Sequence, residues 1–429
     1  MSLSRLAYVS LLRLMLPVAF ARLAVKGLRQ RGYWQGWGQR LGFVSRHEGV
    51  LWIHAVSVGE VRAAAALVRA LHETYPDRRL LVTTTTPTGA DQARALLGHL
   101  AAHTYLPYDS PSAVERFLTR TKPSALLVME TEIWPVLYER CARRGIPVCL
   151  LNARLSMRSF RRYQWIPNLI RQTLGHIRLI AAQTEADAGR LIRLGAEAPC
   201  VHVAGNLKFD LVLPEGIAQA GAHLRACFQG AGPVWIAAST HDGEEEIVLR
   251  AHLTLRSRYP DLGLILAPRH PERASALARL CERHGLKPVW RSRGTNQVIE
   301  RARSLLLADT LGELPLLLAA AKVAFMGGSL VPAGGHNLLE PCALGVPVVF
   351  GPHMFNFAEI ARLVNERGAG RQISGPAPLA DMVEYYLANP SACDHAAEAG
   401  RAIIHDHRGA VARTLALLEP LITSARALS

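Results

Sequence analysis

The sequence has no CxxC pair. Its seven cysteines, Cys141, Cys149, Cys200, Cys227, Cys281, Cys342 and Cys393, are odd in number and scattered along 429 residues. Without clustered thiols there is neither a disulfide framework nor a thiolate metal site, and the pattern is that of reduced, buried thiols in a cytosolic setting. Charge is sparse at 19% of residues while half are apolar, which excludes intrinsic disorder because ample surface is available for burial. Acidic residues are the scarcer sign, 34 against 49 basic, for a formal net charge of +15. Such an excess attracts an anionic partner: nucleic acid, an acidic lipid surface or a phosphorylated substrate. A dense Lys/Arg tail, paired zinc ligands and an RNP-like aromatic strand are all missing, so nucleic acid is the weakest of the three. The Lys-Ser/Thr pair of a P-loop and the GxGxxG dinucleotide spacing are missing too.

What is present begins with length. A single hydrophobic core stops growing at roughly 250 to 300 residues, so this chain predicts two domains. Residues 1–30 form a separate segment, apolar from Leu6 to Leu28 but interrupted by Arg13, Arg22 and Lys26, with Pro17 in the middle. Arginine inside the apolar stretch and the cysteine pattern argue against a cleaved signal peptide, although Ala19-Phe20-Ala21 resembles a cleavage site. A spanning helix, an interfacial helix with snorkelling arginines, and a buried first helix remain, and the interfacial one explains the charges best. Arg22, Lys26, Arg29, Arg31 and Arg40 follow the apolar stretch, which by the positive-inside rule places the body at the cytoplasmic face of a membrane.

Beyond residue 50, short apolar and β-branched runs alternate with helical patterns, at 50–57, 79–86, 103–109, 124–131, 147–153, 179–184 and 201–204, and again at 234–240, 262–269, 304–310, 323–329 and 346–352. Alternation of this kind implies α/β domains with parallel sheets, here two Rossmann-like halves. The expected boundaries are 31–210 for the first domain, 211–232 for a linker rich in Gly with Pro214, and 233–429 for the second domain with its terminal helices. Ligands of open α/β sheets bind beyond the carboxyl ends of the strands, so two such domains facing a cleft line it with their post-strand loops.

Those loops carry the candidate residues. Glu60, in Ser57-Val58-Gly59-Glu60, sits at a helix start, where a carboxylate serves either as a general base or as a favourable partner of the helix dipole. Glu130 and Glu132 leave an apolar strand on one face, either to meet substrate or to brace the turn before Pro135. Lys208 follows another strand and suits charge stabilisation, though linker lysines are commonly just solvated. In the second half, Pro268-Arg269-His270-Pro271 offers a guanidinium suited to phosphate or carboxylate. Gly327-Gly328-Ser329 and Gly334-Gly335-His336-Asn337-Leu338-Leu339-Glu340 read as strand, glycine-rich loop and helix start, an arrangement that lets backbone approach an anion.

Taken in order, SVGE, TTTTPTG, METEIWP, NARLS, GNLKFD, APRHPER, DTLGELP and GGSLVPAGGHNLLEP resemble the family of 3-deoxy-D-manno-octulosonic acid (Kdo) transferases from about residue 30 to about residue 365. The resemblance implies an inverting glycosyltransferase of GT-B architecture that uses CMP-Kdo as donor, a lipid A precursor (lipid IVA) as acceptor, no metal and no cofactor, at the cytoplasmic face of the inner membrane. The family's base falls on Glu60, and the residues assisting its transition state fall on Glu130 and Lys208. Contacts to CMP fall on Pro268 and Arg269, on Leu311, Gly312 and Glu313, and on Asn337, Leu338, Leu339 and Glu340. Leu338-Leu339 departs from the Pro-Leu expected in many relatives, a conservative change. Two rivals are a nucleotide-sugar enzyme of other specificity on the same scaffold, since fold does not fix function, and a basic membrane-surface binding protein without turnover.

Overall fold

The computed structural model describes residues 3–230, 232–294, 298–300 and 303–424. The chain divides into two compact units, one reaching from the N-terminus to Asp210 and resuming at His407, the other comprising Leu211–Asp406.

Unit 1 is built on seven strands: β1 (Leu51–His54), β2 (Leu80–Thr84), β3 (Ala101–Tyr105), β4 (Ala125–Met129), β5 (Val148–Ala153), β6 (Ile177–Ala182) and β7 (Val201–Val203). They pair in parallel in the order β3-β2-β1-β4-β5-β6-β7. Every residue of β1, β2, β4 and β5 is buried, because helices cover both faces; that is why these strands read as continuous apolar runs rather than as alternation. Successive side chains still point to opposite faces. Trp52, Leu126 and Val128 enter one core, while Leu51, Ile53, Leu127 and Met129 enter the other. Trp52 packs on Phe117 with ring centroids 4.5 Å apart and donates its indole N–H to Thr83 Oγ1 at 2.8 Å, satisfying the one polar atom it buries.

Unit 2 carries β8 (Val234–Thr240), β9 (Gly263–Pro268), β10 (Lys287–Trp290), β11 (Ser304–Leu307), β12 (Val323–Met326), β13 (Val348–Phe350) and β14 (Gly370–Gln372). The order is β10-β11-β9-β8-β12-β13-β14, again parallel. In both sheets the strand order reverses about the first strand, between β1 and β4 and between β8 and β12. Such switch points are where the loops diverge to leave a ligand crevice.

Two expected boundaries are corrected. The terminal helix Ala410–Ser424 belongs with unit 1 and not with the second domain as 233–429 implied. Leu418 and Ile422 complete a core of the first sheet, and Asp210 accepts the backbone N–H groups of Gly409 (2.6 Å) and Val411 (2.5 Å) where the chain returns. Residues 211–232 are not simply a linker: they form the helix Ile217–Ala226, packed in unit 2. Gly221 permits this, since a Cβ there would lie 2.6 to 2.8 Å from Ala319.

One helix among the described residues, Ser4–Arg29, is long and apolar enough to cross a membrane, with mean hydropathy 1.6.

Candidate active site

In unit 1 three carboxylates gather at the β1/β4 switch point. β1 is followed by Ser57 and the helix Val58–Thr74, whose first turn holds Glu60. Glu60 is only 9% exposed. Its carboxylate accepts the N–H of Val56 at 2.7 Å and the hydroxyl of Ser57 at 3.2 Å. Burial pushes its pKa up to about 7, the negative charges of Glu130 and Glu132 push the same way, and the two hydrogen bonds resist. A carboxylate that titrates near neutrality and is still an acceptor suits proton abstraction. In the structure Glu60 ties the helix start to the loop through these two hydrogen bonds.

β4 ends at Met129, and Glu130 adopts φ +56, a left-handed conformation that L side chains rarely take and that costs on the order of 1–3 kcal/mol. The turn is held by Glu130 N–H donating to Leu151 O at 2.8 Å and by reciprocal bonds between Thr131 and Arg154. Glu132, further along, is pushed up to about 7, by burial first and Glu130 second.

Lys208 reaches Glu130 at 3.4 Å. It is delivered by a short turn, Leu207–Phe209, in which Asn206 Oδ1 accepts Lys208 N–H and Asn152 Oδ1 accepts Leu207 N–H, both at 3.0 Å. Asn152, the penultimate residue of β5, has φ +52 and is itself buried. The segments METEIWP, NARLS and GNLKFD thus form one hydrogen-bonded unit. The sequence reading named Glu60, Glu130 and Lys208, and the structure brings Glu130 and Lys208 into contact and Glu60 into electrostatic reach of Glu130. Asn152 was missed; an Asn at the end of an apolar run, able to tolerate left-handed backbone, was the available signal.

In unit 2 the candidates lie at the carboxyl ends of β9 and β11 and beyond β12. Pro268 closes β9, and Arg269 N–H donates to Thr240 O at 3.0 Å. After β11, Leu311 is 78% exposed and Gly312 turns the chain with φ +84. The Glu313 carboxylate is gripped by Arg291 through two bonds, 2.7 and 3.2 Å, and by Thr310. Burial raises its pKa, but those partners prevail and hold it below the usual carboxylate value.

The glycine-rich segment behaves differently from the expectation. The N–H groups of Gly328, Ser329 and Leu330 donate to the fully buried Glu244 at 2.7, 3.0 and 2.9 Å, and His241 N–H adds a fourth bond at 2.9 Å. A Cβ on Gly327 would lie 2.8 Å from that carboxylate. The anion in this nest is therefore the protein's own Glu244, not a ligand. Gly334 and Gly335 leave room for Met354, Phe355 and Asn356. The helix that follows is a short one, Leu339–Leu344, with Asn337 Oδ1 accepting Leu339 N–H at 3.2 Å. Leu338 and Leu339 are wholly buried; Glu340 is half-buried. His241 and His336, which the sequence reading did not single out, meet Nε2 to Nε2 at 2.9 Å beside Gly328. Among the described residues no group of three or more His, Cys, Asp or Glu is placed to hold a metal ion.

Residues 35–211 match the family model for 3-deoxy-D-manno-octulosonic-acid transferase (kdotransferase). The chain is 38% identical to the 3-deoxy-D-manno-octulosonic acid transferase of Haemophilus influenzae over 97% of its own length and 99% of that protein. It is 40% identical to the Bordetella pertussis protein of the same description, covering 86% of each. Among solved structures, Anabaena HepE in complex with UDP superposes with TM-score 0.54 at 17% identity, over 87% of this chain and 100% of that one; the shared fold is the two-domain GT-B glycosyltransferase architecture.

Proposed function

Because the chain belongs to the 3-deoxy-D-manno-octulosonic acid transferase family, we propose that it moves Kdo from CMP-Kdo to a glucosamine hydroxyl of the lipid A precursor lipid IVA, by a single displacement that inverts C2, with Glu60 as general base. The acceptor O–H proton passes to the Glu60 carboxylate while the oxygen forms a bond to C2; the C2–O bond to phosphate breaks and its electron pair leaves with CMP. The observation that carries this reading is the burial-raised Glu60 at the switch point, a base tuned to about 7, near the pH at which proton abstraction is most effective.

Lys208 and Glu130 assist as a pair. Positive charge develops at C2 and negative charge on the departing phosphate, and an ammonium held 3.4 Å from a carboxylate can favour either by a small shift. On the donor side, Pro268, Arg269, Leu311, Gly312, Glu313 and Asn337 to Glu340 bind CMP. Arg269 supplies a fixed cation for phosphate. Glu313, already neutralised by Arg291, does not repel it, and the exposed Leu311 offers apolar cover to a pyrimidine. Glu340 is the carboxylate for ribose hydroxyls. No step assigns a role to a metal. The basic chain works at the cytoplasmic face of the inner membrane, where its acceptor lies, and the cations that follow the apolar helix support that side.

The test is Glu60→Gln. CMP-Kdo binding, measured by calorimetry, is expected to stay within about twofold while turnover falls by about 10² to 10⁴, the contribution of a positioned base. Turnover at the parent rate would remove Glu60 from the chemistry.

A further inference from the structure

Where β8 and β12 part, at the switch point of unit 2, two imidazoles meet that the mechanism above does not use. His241 follows β8 directly, and His336 lies in the loop beyond β12. Their Nε2 atoms are 2.9 Å apart, and the rings stack at 13° with centroids 5.2 Å apart. Both residues are half-buried. His241 Nδ1 has no partner among the described residues and is open to solvent. The pair is fixed from beneath. One oxygen of the fully buried Glu244 accepts His241 N–H at 2.9 Å and Gly328 N–H at 2.7 Å. Gly335 N–H donates to Gly328 O at 2.7 Å, which ties down the residue before His336. Gly328 has φ +66, and a Cβ on it would stand 3.1 Å from the His336 ring and 3.2 Å from the His241 ring; the glycine leaves the space that both rings fill. A hydrogen bond between two half-exposed rings adds little to stability, so this bracing suits rings that must be in place for a ligand. Ligands of open α/β sheets bind at such switch points.

The proton count limits what the pair can do. A bond between two Nε2 atoms contains a single hydrogen, so one ring donates and the other accepts. In the neutral pair the accepting ring keeps its own hydrogen on Nδ1, and the donating ring has a bare Nδ1. One added proton makes both Nδ1 atoms donors and gives the pair a positive charge; another would set two N–H groups against each other across 2.9 Å. Charged and titratable groups face His241 from three elements: Glu244 and Glu245 on the helix Glu244–Arg256, Arg269 and His270 beyond β9, and His336 beyond β12. Asp242 and Glu245 are themselves bound by Arg273. Burial lowers the pKa of His241, and His270 and Arg269 lower it further against the two glutamates, so the imidazole is neutral above about pH 6.5 while the site is empty.

We propose that the His241–His336 pair receives the phosphate of the nucleotide, with His241 Nδ1–H donating to it, and takes up one proton as the departing phosphate becomes a dianion. When the C2–O bond breaks, its electron pair stays on the phosphate oxygen, and a phosphodiester monoanion becomes a monoester dianion with a second pKa of about 6. The added negative charge raises the affinity of the facing imidazoles for a proton, and solvent supplies it. Arg269 offers a fixed charge to the phosphate in both states; the pair adds a charge that arises only with the product. The inference deepens the proposed donor site and rests on that reading for the identity of the nucleotide.

The experiment is calorimetry of CMP binding to the full chain between about pH 6.5 and 8, the range in which a histidine proton is read, in buffers of low and high ionisation heat. Cytidine and UMP serve as comparison ligands. The parent protein is expected to take up close to one proton per CMP, and its dissociation constant to rise by about three- to tenfold across that range. Cytidine, which has no phosphate, is expected to show neither effect. His241→Gln and His336→Gln keep a polar side chain that does not titrate; each is expected to weaken CMP binding by about tenfold at the acid end and to remove its pH dependence. The parent measurement stands by itself should a variant fail to fold. CMP bound by the parent without proton uptake, or variants that keep the uptake, overturns the pair and leaves the donor reading in place. UMP bound with the proton, and CMP not bound, overturns the donor reading and leaves the pair in place. A folded parent protein that binds neither nucleotide overturns both.

Discussion

In the proposed mechanism Glu60 serves fold and chemistry together. Its hydrogen bonds to Val56 and Ser57 fix it, while burial and the neighbouring Glu130 and Glu132 keep a proton on it up to about pH 7. A base must be unprotonated to act, so activity is lost as pH falls through that value and gained as it rises. The kcat/KM profile is therefore expected to have an ascending limb near pH 7. Glu130→Gln removes a negative neighbour and leaves the Lys208 cation unpaired; both changes favour the Glu60 carboxylate and are expected to move the limb toward acid by on the order of half a pH unit. A limb that stays in place would mean Glu130 acts on substrate alone. In the sequence, Glu60 was visible as an acid after a strand and a glycine, but its pKa was not, because burial and the approach of two other loops come only with the fold. Glu244 was invisible as a site-builder for the same reason: in the sequence it is one of three consecutive glutamates at a helix start.

At the scale of elements, the strands of both sheets were legible within a few residues because burial on two faces writes them as apolar runs. The edges were not. β10 and β14 are short and carry Lys287, Pro288, Arg371 and Gln372, the polar and proline content by which sheet edges avoid further pairing, and this hides them among loops. The terminal helix was read as a helix, but an amphipathic pattern does not say which sheet it will cover. The site itself depends on turns that the pattern does not report. Asn152→Ala forces Ala into left-handed backbone and leaves Leu207 N–H without its acceptor, so urea unfolding should show a loss of about 2–3 kcal/mol; Asn152→Gly restores the backbone freedom and should recover only part of it. Equal stability of parent and Ala variant would show that the Lys208 turn is held by other contacts. Glu244→Gln puts an amide among four N–H donors and is expected to cost about 2–4 kcal/mol, seen by calorimetry as a lower melting transition; an unaltered transition would contradict the role of Glu244 in organising the Gly327–Leu330 loop.

For the whole molecule, composition had already separated possibilities that individual residues could not. The basic excess pointed to an anionic partner, and it resides in residues 1–47 and 140–184, both in unit 1. The likeness to Kdo transferases over nearly the full length then narrows the chemistry to a sugar acid. The most direct measurement is transfer by the purified full chain from CMP-Kdo to tetraacylated lipid A precursor in the presence of EDTA, with products resolved by mass. The account predicts a product heavier by one or more Kdo units; a folded protein that leaves both substrates intact would contradict it.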